Sequence, residues 1–309
     1  MYQGRGVHHV AVGVKSLAET RAFYRDVLDF TEIFVDFPKN EYPALQPVLR
    51  ASSAVYAAVL FSQPAGGIIL ELTEMFDPPS RPIRKAPLYG DIGVSKISIA
   101  VRDVDATHKE LKEKADWCIA PRSAAVPGFG DYRFAYFKDP EGNLVEIFSS
   151  SQLPVRQGFG GISSLGISVT DLDRSVAFYR KYLGFDKTLI GEHDRFSGIL
   201  DELTGYAGSQ MRSCLLANSE AEGMVELFEV TKPRGRSIPF AIRWGDCGYL
   251  QVCLNGRQGD DIGKIASYFS QEGLEFLCEP QLMHDEKEGA FFYMRDPDGI
   301  PVEFLVFLK

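Results

Sequence analysis

The stretch LAETRAFYRDVLDF (residues 17–30) returns almost in register as LDRSVAFYRKYLGF (residues 172–185), an offset of 155 (172 − 17). A second pair, KDPEGNLVEIF from Lys138 and RDPDGIPVEFL from Arg295, repeats at 157 (295 − 138). Two independent motifs sharing nearly one offset mark a duplicated block, so corresponding positions can be compared inside a single chain.

Working outward, each half divides again. Strand-like runs open four segments: VHHVAVGV (7–14), VSKISIAV (94–101), SSLGISVT (163–170) and GYLQVCLN (248–255). A helical stretch follows each run. In the first, Ser16 is placed as N-cap with Glu19 three residues on, and Phe23, Tyr24, Val27 and Leu28 recur at helical spacing. In the third, Asp171 takes the cap, Phe178, Tyr179 and Tyr182 form the buried stripe, and Gly184 supplies a left-handed stop where the first unit has Asp29. Every unit closes on a strand carrying a glutamate: Glu71, Glu146, Glu226 and Glu303. In the second and fourth units a DPxG turn leads into that strand. SQLPVRQGFG (151–160) carries Pro and Gly without periodicity and reads as a linker between domains at 1–150 and 161–309. The interval from about 32 to 60, with FPKNEYPALQP, should contain a sizeable loop.

Strand alternation assigns faces. Val10, Val12 and Val14 oppose His9, Ala11 and Gly13. Ile97, Ile99 and Val101 oppose Lys96, Ser98 and Ala100, and Leu165, Ile167 and Val169 oppose Ser164, Gly166 and Ser168. Leu250, Val252 and Leu254 oppose Tyr249, Gln251 and Cys253. Four times an aliphatic face, to be covered by helices, backs onto small or polar residues that leave room for a cavity. By the same alternation His8 points to the helix side.

At 309 residues the chain has room for about two domains with cores of their own. A net charge of −9 argues against nucleic acid or an anionic membrane surface as partner. No apolar run reaches transmembrane length and no secretion signal opens the chain. The five cysteines, odd in number and without CxxC spacing, read as small buried hydrophobes in a reducing cytoplasm.

The FYRxxLxF helix and the DPxGxxxE ending together resemble the vicinal oxygen chelate superfamily, which includes glyoxalase I, methylmalonyl-CoA epimerase, extradiol dioxygenases and bleomycin resistance proteins. The resemblance covers nearly the whole chain and implies an α+β fold: four βαβββ modules, at about 5–75, 91–150, 161–231 and 246–309, forming two domains of curved mixed sheets with helices on the outer faces. It also implies that paired modules form cups, with metal ligands from the first strand and the closing glutamate of each module. Carried over by position, these are His9 and Glu71, Lys96 and Glu146, Ser164 and Glu226, Tyr249 and Glu303. Modules pair as 1+2 and 3+4, or in the swapped manner as 1+4 and 2+3, where His9 and Glu71 meet Tyr249 and Glu303.

Under the first pairing, His9, Glu71 and Glu146 form a metal set for one divalent ion, of Fe, Mn, Ni, Co or Zn. Lys96 complicates it, since an ammonium beside two carboxylates competes with a cation for the same charge. It either replaces the metal, pairing with Glu146 or Glu71, or swings aside to donate a proton or polarise a carbonyl. The resemblance implies a metal-dependent lyase or isomerase acting on a small vicinal-oxygen substrate, with Glu146 or Glu71 as base. The alternatives are a metal-free binding or resistance protein, favoured by Lys96, and a ring-cleaving dioxygenase, favoured by His284 twelve residues before Asp296. A facial triad of two histidines and one carboxylate is missing around His284, whose cup offers Ser164 and Tyr249 instead. The expected partner is a small molecule, with a homodimer left open.

Overall fold

The computed structural model describes residues 4–193, 199–220, 223–283 and 289–307. Four modules follow one another. The first holds β1 (Val7–Gly13), α1 (Leu17–Leu28), β2 (Glu32–Glu41), α2 (Gln46–Leu49), β3 (Val55–Gln63) and β4 (Gly66–Asp77). The second holds β5 (Gly93–Val101), α3 (Val104–Glu110), β6 (Asp116–Val126), β7 (Gly130–Lys138) and β8 (Leu144–Ser150). The third holds β9 (Phe159–Ser168), α4 (Leu172–Leu183), β10 (Lys187–His193), α5 (Leu200–Thr204), β11 (Gln210–Ala217) and β12 (Met224–Lys232). The fourth holds β13 (Gly248–Asn255), α6 (Ile262–Gln271), β14 (Phe276–Leu282), β15 (Gly289–Arg295) and β16 (Pro301–Phe307). The fold is α+β, built of tandem βαβββ modules in mixed sheets.

Strand pairing decides which modules share a cup. β1 runs antiparallel to β13, and β5 antiparallel to β9. Modules 1 and 4 therefore form one cup, in strand order β2-β3-β4-β1-β13-β16-β15-β14. Modules 2 and 3 form the other, in order β10-β11-β12-β9-β5-β8-β7-β6. A single antiparallel pairing, Ile68 with Ile162 between β4 and β9, joins the two. The swapped arrangement holds.

Within each sheet the opening strand lies parallel to its module's closing strand. Ala11 is level with Glu71, Ser98 with Glu146, Gly166 with Glu226 and Cys253 with Glu303. The aliphatic faces merge with the inner faces of the helices into one core, in which Val10, Ile99, Leu165 and Val252 meet Tyr24, Leu28, Tyr179 and Leu183. Burying each such aliphatic side chain stabilises the fold by about 1.5–3 kcal/mol.

The helix ends follow from local chemistry. Ser16 and Asp171 cap α1 and α4 by accepting from Glu19 N and Arg174 N. Both helices stop on a left-handed residue, Gly184 at φ 78° and Asp29 at φ 62°; aspartate is one of the few side chains that tolerates this region. The two repeated motifs also touch each other. Tyr24 of α1 donates to Asp139 of the DPEG turn (3.0 Å), and Tyr179 of α4 donates to Asp296 of the DPDG turn (3.2 Å).

The interval expected to contain a sizeable loop opens with β2, which runs through FPKNE and pairs with β3, and the short α2 lies in the connection between Glu41 and Val55. The Pro and Asn that signal a loop are accommodated because β2 is an edge strand, with one side free of ladder bonds. Among the described residues no helix is long and apolar enough to cross a membrane.

Candidate metal centre and its filled counterpart

In the first cup, β1 brings His9 to the concave face, β4 brings Glu71 and β16 brings Glu303. All three are buried, with 4%, 7% and 7% of their surface exposed, so a small opening to solvent remains. His9 Nε2 lies 3.1 Å from Glu71 Oε2 and 3.3 Å from Glu303 Oε2. Neither approach has hydrogen-bond geometry at the ring, and Nε2 has no hydrogen-bond partner among the described residues.

Gln251 completes the group. Its Nε2 donates to Glu303 Oε2 (2.9 Å) and to the Tyr293 hydroxyl (3.0 Å). Thr73 donates to Glu71 Oε1 at 3.3 Å. Because Glu303 is level with Cys253 and Glu71 with Ala11, Gln251 stands two residues before Cys253 as His9 stands two before Ala11. Gln251, not Tyr249, is therefore the fourth-module counterpart of His9.

Tyr249 is displaced by a bulge. Ala11 pairs with Gln251 but Val12 pairs with Tyr249, leaving Leu250 as the extra residue. Tyr249 is turned into the aliphatic core and donates to the Leu144 carbonyl (2.9 Å). A second bulge, at His8 between paired Val7 and His9, corrects the expectation that His8 faces the helices. Its Nδ1 meets His9 Nδ1 at 2.8 Å, and its ring rests 5.6 Å from that of Phe307.

Charge in this cup follows from burial and neighbours. Burial opposes a charge on His9, yet Cys253, Glu303 and Glu71 together hold it well above the ordinary imidazole range. Burial and the adjacent His9 push His8 down to about 4, so it is neutral at pH 7 and able to accept from His9 Nδ1–H. With Nδ1–H held by His8, the proton that a cation would displace is the one at Nε2, which faces the carboxylates. Burial and Glu303 push the Cys253 thiol up to about 12, which keeps it protonated. Burial and the two glutamates raise Tyr293 as well, leaving its hydroxyl a donor.

These donors fit a divalent cation: one imidazole nitrogen, two carboxylates and one amide, converging without hydrogen bonds from the ring. His8, His9 and Cys253 also offer donor atoms within 4.8 Å of one another. In that alternative set Nδ1 of each ring is occupied by the other ring and the thiol carries its proton, so the carboxylate set is the better site. Beside the donors' strands, α2 packs against β14. Leu45, Leu49, Tyr56, Trp244, Phe291 and Tyr293 form the apolar wall.

The second cup carries the remaining candidates. Lys96 on β5 ion-pairs with Glu146 of β8 and, at 2.9 Å, with Glu226 of β12. Lys96 Nζ also donates to Ser98 Oγ (2.9 Å), Ser98 donates to Glu146 Oε2 (2.7 Å), and Tyr132 donates to Glu146 Oε1 (2.8 Å). Lys96 and Glu146 are completely buried. Tyr89, Phe134, Tyr136, Phe148 and Phe228 pack the concave face around them.

The three residues read as one metal set are thus divided. His9 and Glu71 meet Glu303 and Gln251, while Glu146 lies in the other cup on Lys96. His284 falls outside the described residues. Gln251 and Glu303 were visible in the sequence on the polar face, but their company with His9 depends on the swapped pairing and the bulge at Leu250.

The model of the Glyoxalase/Bleomycin resistance protein/Dioxygenase superfamily matches residues 6–147 and 161–304. YaeR, an uncharacterized protein of Escherichia coli (strain K12), is 27% identical over 142 residues, spanning 46% of this chain and 94% of YaeR. Glyoxalase I from Zea mays has a similar fold: TM-score 0.64 at 19% identity, covering 97% of this chain and 92% of that one. A proposed dioxygenase from Bacillus subtilis superposes with TM-score 0.62 at 14% identity, covering 99% and 86%. The chain belongs to the glyoxalase, bleomycin resistance protein and dioxygenase superfamily, present as two tandem copies of its unit.

Proposed function

We propose that the first cup is the reaction centre of a divalent-metal-dependent lyase or isomerase that moves a proton next to a carbonyl of a small vicinal-oxygen substrate. The observation that carries this reading is the convergence of His9 Nε2 on Glu71 and Glu303, with Gln251 beside them and no hydrogen bond at Nε2. His9, Glu71, Gln251 and Glu303 would hold the ion. When bound, it supplies Lewis-acid polarisation of the substrate oxygens, which acidifies the adjacent C–H.

The chain's own residues divide the remaining work. Beside the ion pairs that both make with His9, Glu303 is anchored by a 2.9 Å bond from Gln251 and Glu71 by a longer one of 3.3 Å from Thr73, so Glu71 is assigned as the carboxylate that takes the proton. Tyr293 and Tyr56, both held protonated by burial, can donate to a substrate oxygen or return a proton. Burial of His9, Glu71 and Glu303 beside the apolar wall strengthens the charge interactions among them. A ring-cleaving reaction asks for two histidines and one carboxylate, and this cup offers the reverse count.

The test is exchange of the substrate α-proton with D2O, followed by NMR over a panel of α-hydroxy and α-keto carbonyl compounds and their hemithioacetals, with metal content measured alongside. Metal-dependent exchange that Glu71→Gln abolishes supports the reading. A protein that binds metal through His9 but exchanges no α-proton in the panel counts against proton transfer, and one that binds no metal counts against the centre.

A further inference from the structure

The second cup repeats the glutamate pair of the first and closes it differently. Lys96 stands level with His9, each two residues before the position beside its module's glutamate. Its ammonium sits between Glu146 and Glu226, the place that a cation would take between Glu71 and Glu303. The strand opposite has made room for it: a Cβ on Gly166 would lie 2.5 Å from Lys96 Cγ and 2.7 Å from Cε. Such an approach is far inside carbon–carbon contact distance, so no larger residue is accommodated there without moving the lysine. In the first cup the residue paired across from His9 is the larger Cys253.

We propose that the second cup is a divalent-cation site held shut by a tethered cation, the Lys96 ammonium, and that each chain therefore has one metal centre. Two carboxylates desolvated at this depth would repel each other strongly if left alone, and a single fixed positive charge removes most of that penalty. Around the ammonium the remaining donors are oxygens: the two glutamates, the Ser98 hydroxyl and the Tyr132 hydroxyl. An all-oxygen set suits a hard ion. Removing the lysine side chain leaves both carboxylates in place, with the space beside Gly166 open to water that can complete a coordination shell. The cation expected to enter is Mn2+, and the aromatic filling of the cup means that it enters without creating a substrate pocket.

The experiment silences the first cup with His9→Ala and Glu303→Gln, then compares Mn2+ binding, by electron paramagnetic resonance of the free ion, with and without Lys96→Ala. The protein retaining Lys96 is expected to bind no Mn2+. The Lys96→Ala protein is expected to bind about one equivalent, lost again when Glu226→Gln is added. If Lys96→Ala is unfolded without metal, the readout becomes refolding, followed by circular dichroism, with and without Mn2+. Recovery in Mn2+ supports the proposal. A folded Lys96→Ala protein that binds nothing, or an unfolded one that Mn2+ does not rescue, overturns it. So does Mn2+ binding that Glu226→Gln removes while Lys96 is still present. The metal content of the unmodified protein reports on the first cup separately, so failure of one reading is not mistaken for failure of the other.

Discussion

The two cups share a pair of closing glutamates and differ in what stands opposite them. In one, an imidazole and an amide face the carboxylates, and a little solvent access remains. In the other, an ammonium tethered to the backbone stands between the carboxylates and donates to Ser98, Tyr132 donates to Glu146, and Lys96 and Glu146 are completely buried. On the proposed reading, the same pair of carboxylates serves an exchangeable ion in one cup and an internal one in the other. The choice is made by one residue on the opening strand and by the space that its neighbour allows.

The comparison breaks most visibly in the first cup. His9→Ala should remove the metal and slow α-proton exchange by about 1000-fold or more, since the lost Lewis acid accounts for several kcal/mol of the barrier. Ser164→Ala, at the third-module counterpart of His9 in the second cup, should change exchange by less than about twofold. Equal losses from both variants, measured by NMR exchange and elemental analysis, would mean that the cups do not divide their roles.

Next in size is the internal ion pair. Lys96→Met leaves two buried carboxylates without their cation and should lower unfolding free energy by about 3–5 kcal/mol in urea titrations without metal. A variant as stable as the parent would show that the second cup is not held by charge. Sharper still is Gly166→Ala, expected to cost about 1–3 kcal/mol by overpacking against the lysine stem. Most of that cost should vanish in a Lys96→Ala background, and a double-mutant cycle reads the coupling directly.

The smallest effect concerns the paired motif contacts. Burial pushes Asp139 up to about 6 and Asp296 up to about 7, despite the hydrogen bonds that each accepts. An acid raised in the folded state binds more protons there than in the unfolded chain. Stability from these groups is therefore full below about pH 4, the unfolded value, and is lost as pH rises toward 6 and 7. Asp296→Asn should flatten the upper part of that slope in thermal melts across pH. Tyr179→Phe and Tyr24→Phe should each cost about 0.5–1.5 kcal/mol through the lost hydroxyl bond.

Much of this was legible beforehand. The caps at Ser16 and Asp171, the stop at Gly184 and the buried stripe of α1 and α4 follow from contacts within a few residues, which sequence spacing encodes. The concave positions of His9, Lys96, Gln251 and the four glutamates follow from a period of two. The alternation failed at His8 and Tyr249, where a bulge inserts one residue and reverses the face of a neighbour. Nothing local to HHVA or GYLQ announces a bulge, because it arises from fitting one strand against a distant partner. The reach of β2 through residue 40 was hidden for a related reason: an edge strand tolerates Pro and Asn that a central strand would reject.

The sequence by itself determined four copies of one module, the faces of their opening strands and the glutamate that ends each, since these rest on repetition and periodicity along the chain. The tertiary structure alone decided that module 1 meets module 4 and module 2 meets module 3. That pairing set His9 beside Glu303 and Gln251 and gave Lys96 a second carboxylate, Glu226. Both pairings bury the same aliphatic faces, so hydrophobic pattern cannot separate them. What separates them is the long-range fit of one strand edge to another, and with it the company that each charged side chain keeps.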